Sequence, residues 1–310
     1  MKIFSGRSNL PLAEEIVEHL DASLGKVRIR QFSDGELWIK FEENIRGEDV
    51  FLVQSTHAPA ENILELILMI DAAVRASAQR VTAVIPYYGY GRQDRKDQPR
   101  VPISGRVMMD LISSVGAGRV LTMDMHSPQI QGFTNIPFDH LYARQVIFER
   151  LRKFKLAPET TVILAPDVGR APMARSFARN LGVEFALGDK RRTAPNKAEV
   201  VHIIGDMKDK HVIIIDDMID TGGTIVDAGN AAKKSGATTV TAFATHGLFS
   251  GNASERLIAS DIDRVIVSNT VNLSPERRFE KLEILSVASL FASAIQCIHN
   301  GESISALFEF

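Results

Sequence analysis

HVIIIDDMIDTGGTIVDAGNAA, residues 211–232, reads as a buried strand, a ligand loop and a helix in succession. An unbroken β-branched run of this kind suits a strand covered on both faces, as in a parallel sheet. It ends in two acids, Asp216 and Asp217, followed by a loop over 218–224 and a helix from near Ile225. Parallel sheets bind ligands beyond the carboxyl ends of their strands, and a helix N-terminus offers unpaired amides and a favourable dipole to a phosphate. Gly222 and Gly223 let the backbone approach such a ligand closely. Two carboxylates ahead of the cradle would repel a polyphosphate, yet they suit hydrogen bonds from sugar hydroxyls whose phosphate lies in the loop. The segment therefore predicts a sugar-phosphate site; the plainer alternative is an acidic turn in which Asp220 only caps the helix.

Working outward, short β-branched runs alternate with helix-period segments along the whole chain, which is the pattern of βαβ units. Strands are expected at 50–54, 81–85, 120–123, 161–165, 211–215, 240–244 and 264–267. Residues 63–78 place Ile63, Leu66, Ile67, Ile70 and Val74 on one helix face, with Glu65, Asp71 and Arg75 elsewhere. Asp139 is expected to cap a helix carrying Tyr142, Val146 and Leu151, and Gly182 and Gly236 to end helices in left-handed conformations. An internal echo links VTAVIPYYGYGRQDR from Val81 with TVILAPDVGRAPMAR from Thr161. A duplicated α/β unit accounts for it, and so does chance similarity between two βα junctions. With 310 residues, enough for two domains, the echo places a soft boundary near residue 140.

Composition excludes several classes. Lys plus Arg number 36 against 38 Asp plus Glu, a net charge of −2, so no overall field draws the chain to nucleic acid or a membrane surface. Any phosphate site must be local. The single Cys297 cannot form an intrachain disulfide, and MKIFSG lacks the features of a secretion signal, which points to the cytoplasm. The strongest apolar patch, 63–70, is interrupted by Glu65 and falls far short of the roughly 20 residues that span a bilayer.

Three charged stretches bear on chemistry. RQDRK, with Arg92, Arg95 and Lys96 around Gln93 and Asp94, follows an expected strand and a Gly/Tyr-rich turn, a place where forked guanidinium donors suit a nucleotide polyphosphate. A charge run of this kind is ordinarily a solvated face, and its position at a strand's carboxyl end favours the ligand reading instead. DKRR sets Lys190, Arg191 and Arg192 after an apolar strand and before a loop, and cations on a closing loop stabilise a moving phosphoryl group. A solvated basic turn is the alternative. Asp124-Met125-His126 follows the strand at 120–123; His is an uncommon magnesium ligand, and by itself His126 reads as a structural histidine. No G-x-x-x-x-G-K-[ST] occurs, so an ATP site here is not of the Walker type.

The 211–232 segment resembles the phosphoribosyl pyrophosphate motif of type I phosphoribosyltransferases and of ribose-phosphate pyrophosphokinases. FSDGE at 32–36, PYYGYGRQDRK at 86–96, DMHSPQIQGF at 124–133, PDVG at 166–169, DKRR at 189–192 and HNGESISALF from His299 resemble the bacterial-type pyrophosphokinase, in its order and across almost the entire chain. The resemblance implies two tandem type I phosphoribosyltransferase-like α/β domains, each a mainly parallel sheet flanked by helices. The first, 1–140, would hold ATP and the second, 141–310, ribose 5-phosphate, with the C-terminal helix packing back on the first. It also implies transfer of the β,γ-diphosphoryl group of ATP to the 1-hydroxyl of ribose 5-phosphate, giving phosphoribosyl pyrophosphate and AMP, with Mg2+ as cofactor.

The residue roles it implies are specific. Lys190 and Arg192 act in the transition state. Arg92 and Gln93 contact ATP, while Phe32, Asp34 and Glu36, which alone read as a hairpin turn, hold its adenine from a neighbouring subunit. His126 and Asp167 serve the magnesium. Asp216 and Asp217 orient the ribose, Thr221, Gly222, Gly223 and Thr224 hold its 5-phosphate, and Asp220 supports that loop. A homohexamer, activation by phosphate and inhibition by ADP are further implications. Some positions depart from the family pattern: Gly91 stands where Ala is expected, Arg170 where a second Gly commonly follows PDVG, Thr193-Ala194 after KRR, and Asn44 before Arg46 where Ser is frequent. A phosphoribosyltransferase and a non-catalytic regulatory subunit of the same fold are the competing readings; the first leaves RQDRK and DKRR unexplained, and the intact site motifs oppose the second.

Overall fold

Six of the seven runs expected as strands extend past at least one of their expected ends, and parallel pairing joins all seven. The computed structural model describes residues 1–154, 157–191 and 200–308. Two units emerge: Met1–Ala143, Thr270–Asn272 and the chain from Ser286 onward form one, Arg144–Asn269 and Leu273–Leu285 the other.

The first unit contains β1 (Lys2–Ser5), β2 (Val27–Gln31), β3 (Leu37–Phe41), β4 (Asp49–Val53), β5 (Arg80–Ile85), β6 (Arg119–Met123) and β7 (Phe138–Leu141), with helices α1 (Leu10–His19), α2 (Glu61–Arg75) and α3 (Ser104–Ser114). Five strands form a parallel sheet in the order β1-β4-β5-β6-β7. Every residue of β4 is buried, as expected for a central strand with helices on both faces. Strands β2 and β3 make a separate antiparallel hairpin. The core gathers Phe4, Val50, Leu52, Leu66, Met69, Ile85 and Met109.

Two local expectations are corrected here. On α2 the buried set is Ile63, Glu65, Leu66, Met69, Ile70 and Ala73, while Val74 stands 43% exposed. The face is rotated because Glu65 has partners inside: its carboxylate accepts from Arg7 N, from Arg7 Nε at 2.6 Å and from Gln54 Nε2 at 3.1 Å. Asp139 does not cap a helix; it lies within β7 and accepts from Arg119 Nη1 at 2.5 Å.

The second unit contains α4 (Arg144–Arg152), β8 (Thr161–Ala165), α5 (Ala171–Leu181), β9 (Glu184–Arg191), β10 (Val200–Ile204), β11 (His211–Ile219), α6 (Gly223–Lys234), β12 (Thr239–Gly247), α7 (Ala253–Ala259), β13 (Arg264–Ser268) and β14 (Leu282–Leu285). Its seven-stranded sheet runs β10-β9-β8-β11-β12-β13-β14, parallel except where β10 turns back on β9. Val162, Leu164, Val212, Ile214, Val240, Val265 and residues of α6 and α7 fill its core. Gly182 ends α5 in the left-handed region at φ 66°, and Gly236, just beyond α6, has φ 96°.

The last helix, α8 (Ala288–Asn300), belongs to the first unit. There His299 Nδ1 lies 2.8 Å from Asp49 Oδ2, and Arg80 Nη2 donates to the Ile298 carbonyl at 3.0 Å. No helix among the described residues is long and apolar enough to cross a membrane.

Candidate active site

Strand β8 lies between β9 and β11, so the strands that follow it in sequence stand on both its sides. The crevice at the carboxyl ends of β8 and β11 is therefore a topological switch point, where open parallel sheets bind ligands. Two loops meet there. After β8, Pro166 and the extended Asp167 lead into a 3-10 turn, Val168–Arg170, and then α5; Asp167 Oδ1 accepts from Arg170 N at 3.1 Å. After β11, the connection is only Asp220, Thr221 and Gly222 before α6 begins at Gly223, tighter than the 218–224 loop expected.

Gly222 makes so short a connection possible, because its φ of 76° lies in the left-handed region that a side chain disfavours. The amides of the first turn of any helix lie outside its own hydrogen-bond ladder and face whatever approaches its start; α6 begins at Gly223, and Val226 N donates to the Gly222 carbonyl at 2.9 Å. Thr221 is exposed, and Gly223 and Thr224 are half-buried beside it. The Asp220 carbonyl accepts from Ser250 N, which ties the connection to the segment after β12. A helix start, its dipole and two hydroxyl residues, Thr221 and Thr224, thus stand together in sequence and structure, a set of groups suited to a single phosphate.

The acids occupy the last part of β11. Asp216 and Asp217 are 8% and 2% exposed. Asp216 Oδ1 accepts from Asp217 N at 2.8 Å and stands 3.1 Å from Arg170 Nε; Asp217 Oδ1 stands 3.3 Å from Arg170 Nη2. Burial, reinforced by the hydrogen bond and charge of Asp217 and opposed by Arg170, pushes the Asp216 carboxyl up to about 8. The pair thus holds a proton more tightly than ordinary carboxylates, so one acid can donate while the other accepts, a combination that fits adjacent hydroxyls.

The basic stretch is built differently from the expected loop. Lys190 and Arg191 are the last residues of β9, with Lys190 opposite Val201 and Arg191 opposite Val200 of β10. The strand thus includes the first three residues of DKRR; Arg192 lies outside the described residues.

In the first unit, the strand ends also carry loops. Phe32, Asp34 and Glu36 sit on the exposed β2–β3 loop, where Glu36 N donates to Asp34 Oδ1 at 3.1 Å and Phe32, 54% exposed, has its ring in solvent. After β5, Gly89 N donates to Thr56 Oγ1 at 2.8 Å and Gln93 N to the Tyr90 carbonyl at 3.0 Å, leaving Arg92 and Gln93 exposed. After β6, Asp124 adopts φ 36°, a left-handed backbone uncommon for a residue with a side chain. Its Oδ2 accepts from Ala143 N, and the next amide, Met125 N, donates to His140 Nε2 at 2.9 Å. That bond requires a lone pair on Nε2 and fixes the neutral tautomer protonated on Nδ1. His126, half-buried, follows directly.

Asp94 joins the two loops, accepting from Ser127 Oγ at 2.6 Å and Gln129 Nε2 at 3.3 Å. The RQDRK loop and the DMHS loop are therefore one construction. Gly91 sits in a tight place: a Cβ there would stand 3.3 Å from the Tyr88 carbonyl oxygen, so that the neighbouring backbone would have to give by a few tenths of an ångström.

Comparison with known proteins adds to this geometry. Residues 1–116 match the family model described as the N-terminal domain of ribose phosphate pyrophosphokinase, and residues 171–309 match the phosphoribosyl synthetase-associated domain. A ribose-phosphate pyrophosphokinase of Chlorobaculum tepidum is 48% identical over 309 residues, covering 100% of this chain and 95% of that protein. The chain belongs to the ribose-phosphate pyrophosphokinase family. The Aquifex aeolicus ribose-phosphate pyrophosphokinase is 47% identical, with 99% of each chain covered. Among solved structures, phosphoribosylpyrophosphate synthetase from Mycobacterium smegmatis superposes with a TM-score of 0.91 at 39% identity, covering 97% of this chain and 99% of that one. As a member of the pyrophosphokinase family the chain is an enzyme.

Membership in the pyrophosphokinase family gives context to residues that sequence reasoning passed over. Asp94 sat in plain view within RQDRK, but only the adjacency of β5 and β6 shows that it links two loops. His140 gave no signal at all, since its role depends on the amide of Met125, and Arg170 gave only the signal of being unusual.

Proposed function

We propose that this enzyme transfers the β,γ-diphosphoryl group of ATP to the anomeric hydroxyl of ribose 5-phosphate, releasing AMP. The observation that carries the sugar half is the buried Asp216–Asp217 pair directly ahead of the Gly222–Gly223 helix start at the switch point of the second sheet. Hydroxyls need acceptors and a phosphate needs amides, and this loop offers them in that order. In the proposal Asp216 and Asp217 orient the ribose, Thr221 to Thr224 hold its 5-phosphate, and Asp220 fixes the loop.

The second unit, Arg144–Asn269 with Leu273–Leu285, is proposed to hold the sugar phosphate and the first to hold ATP. Arg92 and Gln93 would reach its phosphates, and the hairpin loop with Phe32, Asp34 and Glu36 would receive adenine across a homo-oligomer, of hexameric form by family resemblance. Phe32 offers an exposed ring face for stacking, which supports that role. Lys190 and Arg192 would bring positive charge to the diphosphoryl group as it moves, where fixed cations stabilise charge that develops only in the transition state. Phosphate and ADP are proposed effectors, and the cytoplasm the proposed location.

Mg2+ is proposed to arrive with ATP. Among the described residues no three His, Cys, Asp or Glu side chains gather into a cage. One or two protein ligands completed by water and phosphate oxygens is the usual mode for this ion. His126 and Asp167, both half-buried, are residues of the right kind for it, with one Asp167 oxygen already accepting from Arg170 N. When bound, the ion neutralises polyphosphate charge. The chain's own part is to align the anomeric hydroxyl in line with the β-phosphorus and to exclude water.

Isotopic labelling tests the reaction. ATP labelled at either the β or the γ phosphorus should deliver label to the sugar product, with AMP formed in equal amount and only when ribose 5-phosphate is present. Formation of ADP with the β label retained would overturn the reading. Absence of turnover, with both substrates bound, would favour a regulatory subunit.

A further inference from the structure

Arg170 stands where the family pattern commonly has glycine, and its side chain is largely withdrawn from solvent. The side chain is 17% exposed and reaches across from the β8 loop to two successive acids of β11, with Nε 3.1 Å from Asp216 Oδ1 and Nη2 3.3 Å from Asp217 Oδ1. Each nitrogen addresses a different carboxylate, so the contact is a fork across the pair. Both contacts fall on Oδ1 atoms. Its origin is fixed as well, since Arg170 N donates to Asp167 Oδ1 at 3.1 Å and the turn leads straight into α5.

We propose that Arg170 is a positioning residue for the sugar site, its guanidinium forked across Asp216 and Asp217 so that both carboxylates keep one orientation toward the ribose hydroxyls. The inference rests on the sugar-site reading above. Two neighbouring carboxylates at 8% and 2% exposure repel each other and are costly to desolvate. A planar fork is the side chain that can address both at once, and the point charge of lysine cannot. The contact distances are longer than the roughly 2.7–2.9 Å of tight charge-assisted bonds, which leaves room for the acids to adjust as hydroxyls arrive.

The proposal separates Arg170 from a simple competitor for the acids. A competitor would make ribose 5-phosphate bind more tightly when removed; a positioning residue does the reverse. The test is calorimetric titration of ribose 5-phosphate into the full chain with magnesium and α,β-methylene ATP present, for the natural protein, Arg170→Met and Arg170→Lys. Methionine keeps the apolar stem without charge, and lysine restores charge without the fork.

Ribose 5-phosphate affinity should fall about tenfold in the methionine variant and recover only in part with lysine. Affinity for the ATP analogue should change less than about twofold, and in turnover the rise in KM for the sugar should exceed any fall in kcat. A thermal melt checks folding, and Arg170→Gly with millimolar free guanidinium gives a second readout, because restored affinity requires the charge and shape of the missing group. Unchanged or tighter sugar binding in Arg170→Met overturns the positioning role while leaving the sugar site standing. Failure of the natural protein to bind ribose 5-phosphate overturns both.

Discussion

Replacing Asp216 by Asn should stabilise the protein, and should do so in proportion to pH. Asp216 and Asp217 are consecutive residues of β11, two buried carboxylates with the Arg170 guanidinium beside both. Burial and Asp217 raise the Asp216 carboxyl from 3.8 to about 8. An acid whose affinity for a proton rises on folding makes the folded state take up that proton between the two values. Stability is then fully present below the unfolded value near 4 and is lost as pH climbs toward 8. The slope for one group is at most ~1.4 kcal/mol per pH unit, so the window of about four units sets a ceiling near 6 kcal/mol. Sharing of the proton with Asp217 and relaxation around the charge reduce this, and ~2–4 kcal/mol is the expected gain at pH 8.5. Asn imitates the protonated acid: its oxygen can still accept from Asp217 N and Arg170 while its amide donates toward Asp217. Scanning calorimetry in phosphate-free buffer should show the variant melting roughly 5–10 °C higher at pH 8.5, with the gap narrowing by about half at pH 5.5. A gap that is independent of pH, or that widens as pH falls, would refute the reasoning.

Two further outcomes are expected. Lys190→Ala should lower kcat about a hundredfold or more while leaving ribose 5-phosphate affinity within about twofold, since the charge is proposed to act on the transition state alone; steady-state kinetics giving an unchanged kcat would exclude that role. Gly89→Ala should lower stability by ~2–3 kcal/mol because the added Cβ would stand 2.0 Å from the Thr56 carbonyl oxygen, so that the loop or the strand end must move; an unaltered melting temperature would show that the two segments are not so close.

The parts of the fold legible in the sequence were those whose partners are water or generic apolar surface. The run 211–215 could only be a buried strand, and its extension to Ile219 depends on pairing with His246 and Gly247 of β12, which lie far along the chain. Strand β7 escaped notice because half of it is polar: Asp139 answers Arg119 and His140 takes the Met125 amide. The same cause explains α2, where Glu65 reads as a solvent residue until Arg7 and Gln54 are brought against it. DKRR reads as a loop because three consecutive cations disfavour burial, whereas β9 continues through Lys190 and Arg191 because β10, the edge strand of the sheet, runs back antiparallel beside it.

The sugar site divides along the same line. Its phosphate cradle is local, made of consecutive residues whose backbone does the binding, so Gly222, Gly223 and the two threonines declare it in the sequence. Its hydroxyl side is only half local. Asp216 and Asp217 are visible as a pair, but what controls them comes from the loop after β8, and nothing in VGRAPMAR says that a guanidinium will lie 3.1 Å and 3.3 Å from two carboxylates. A residue that departs from a family pattern carries meaning only through what it touches. Here a glycine's usual place is taken by the one side chain able to fork across both acids, in a crevice where an uncompensated pair of carboxylates would otherwise retain its proton more strongly and turn less readily toward a ligand.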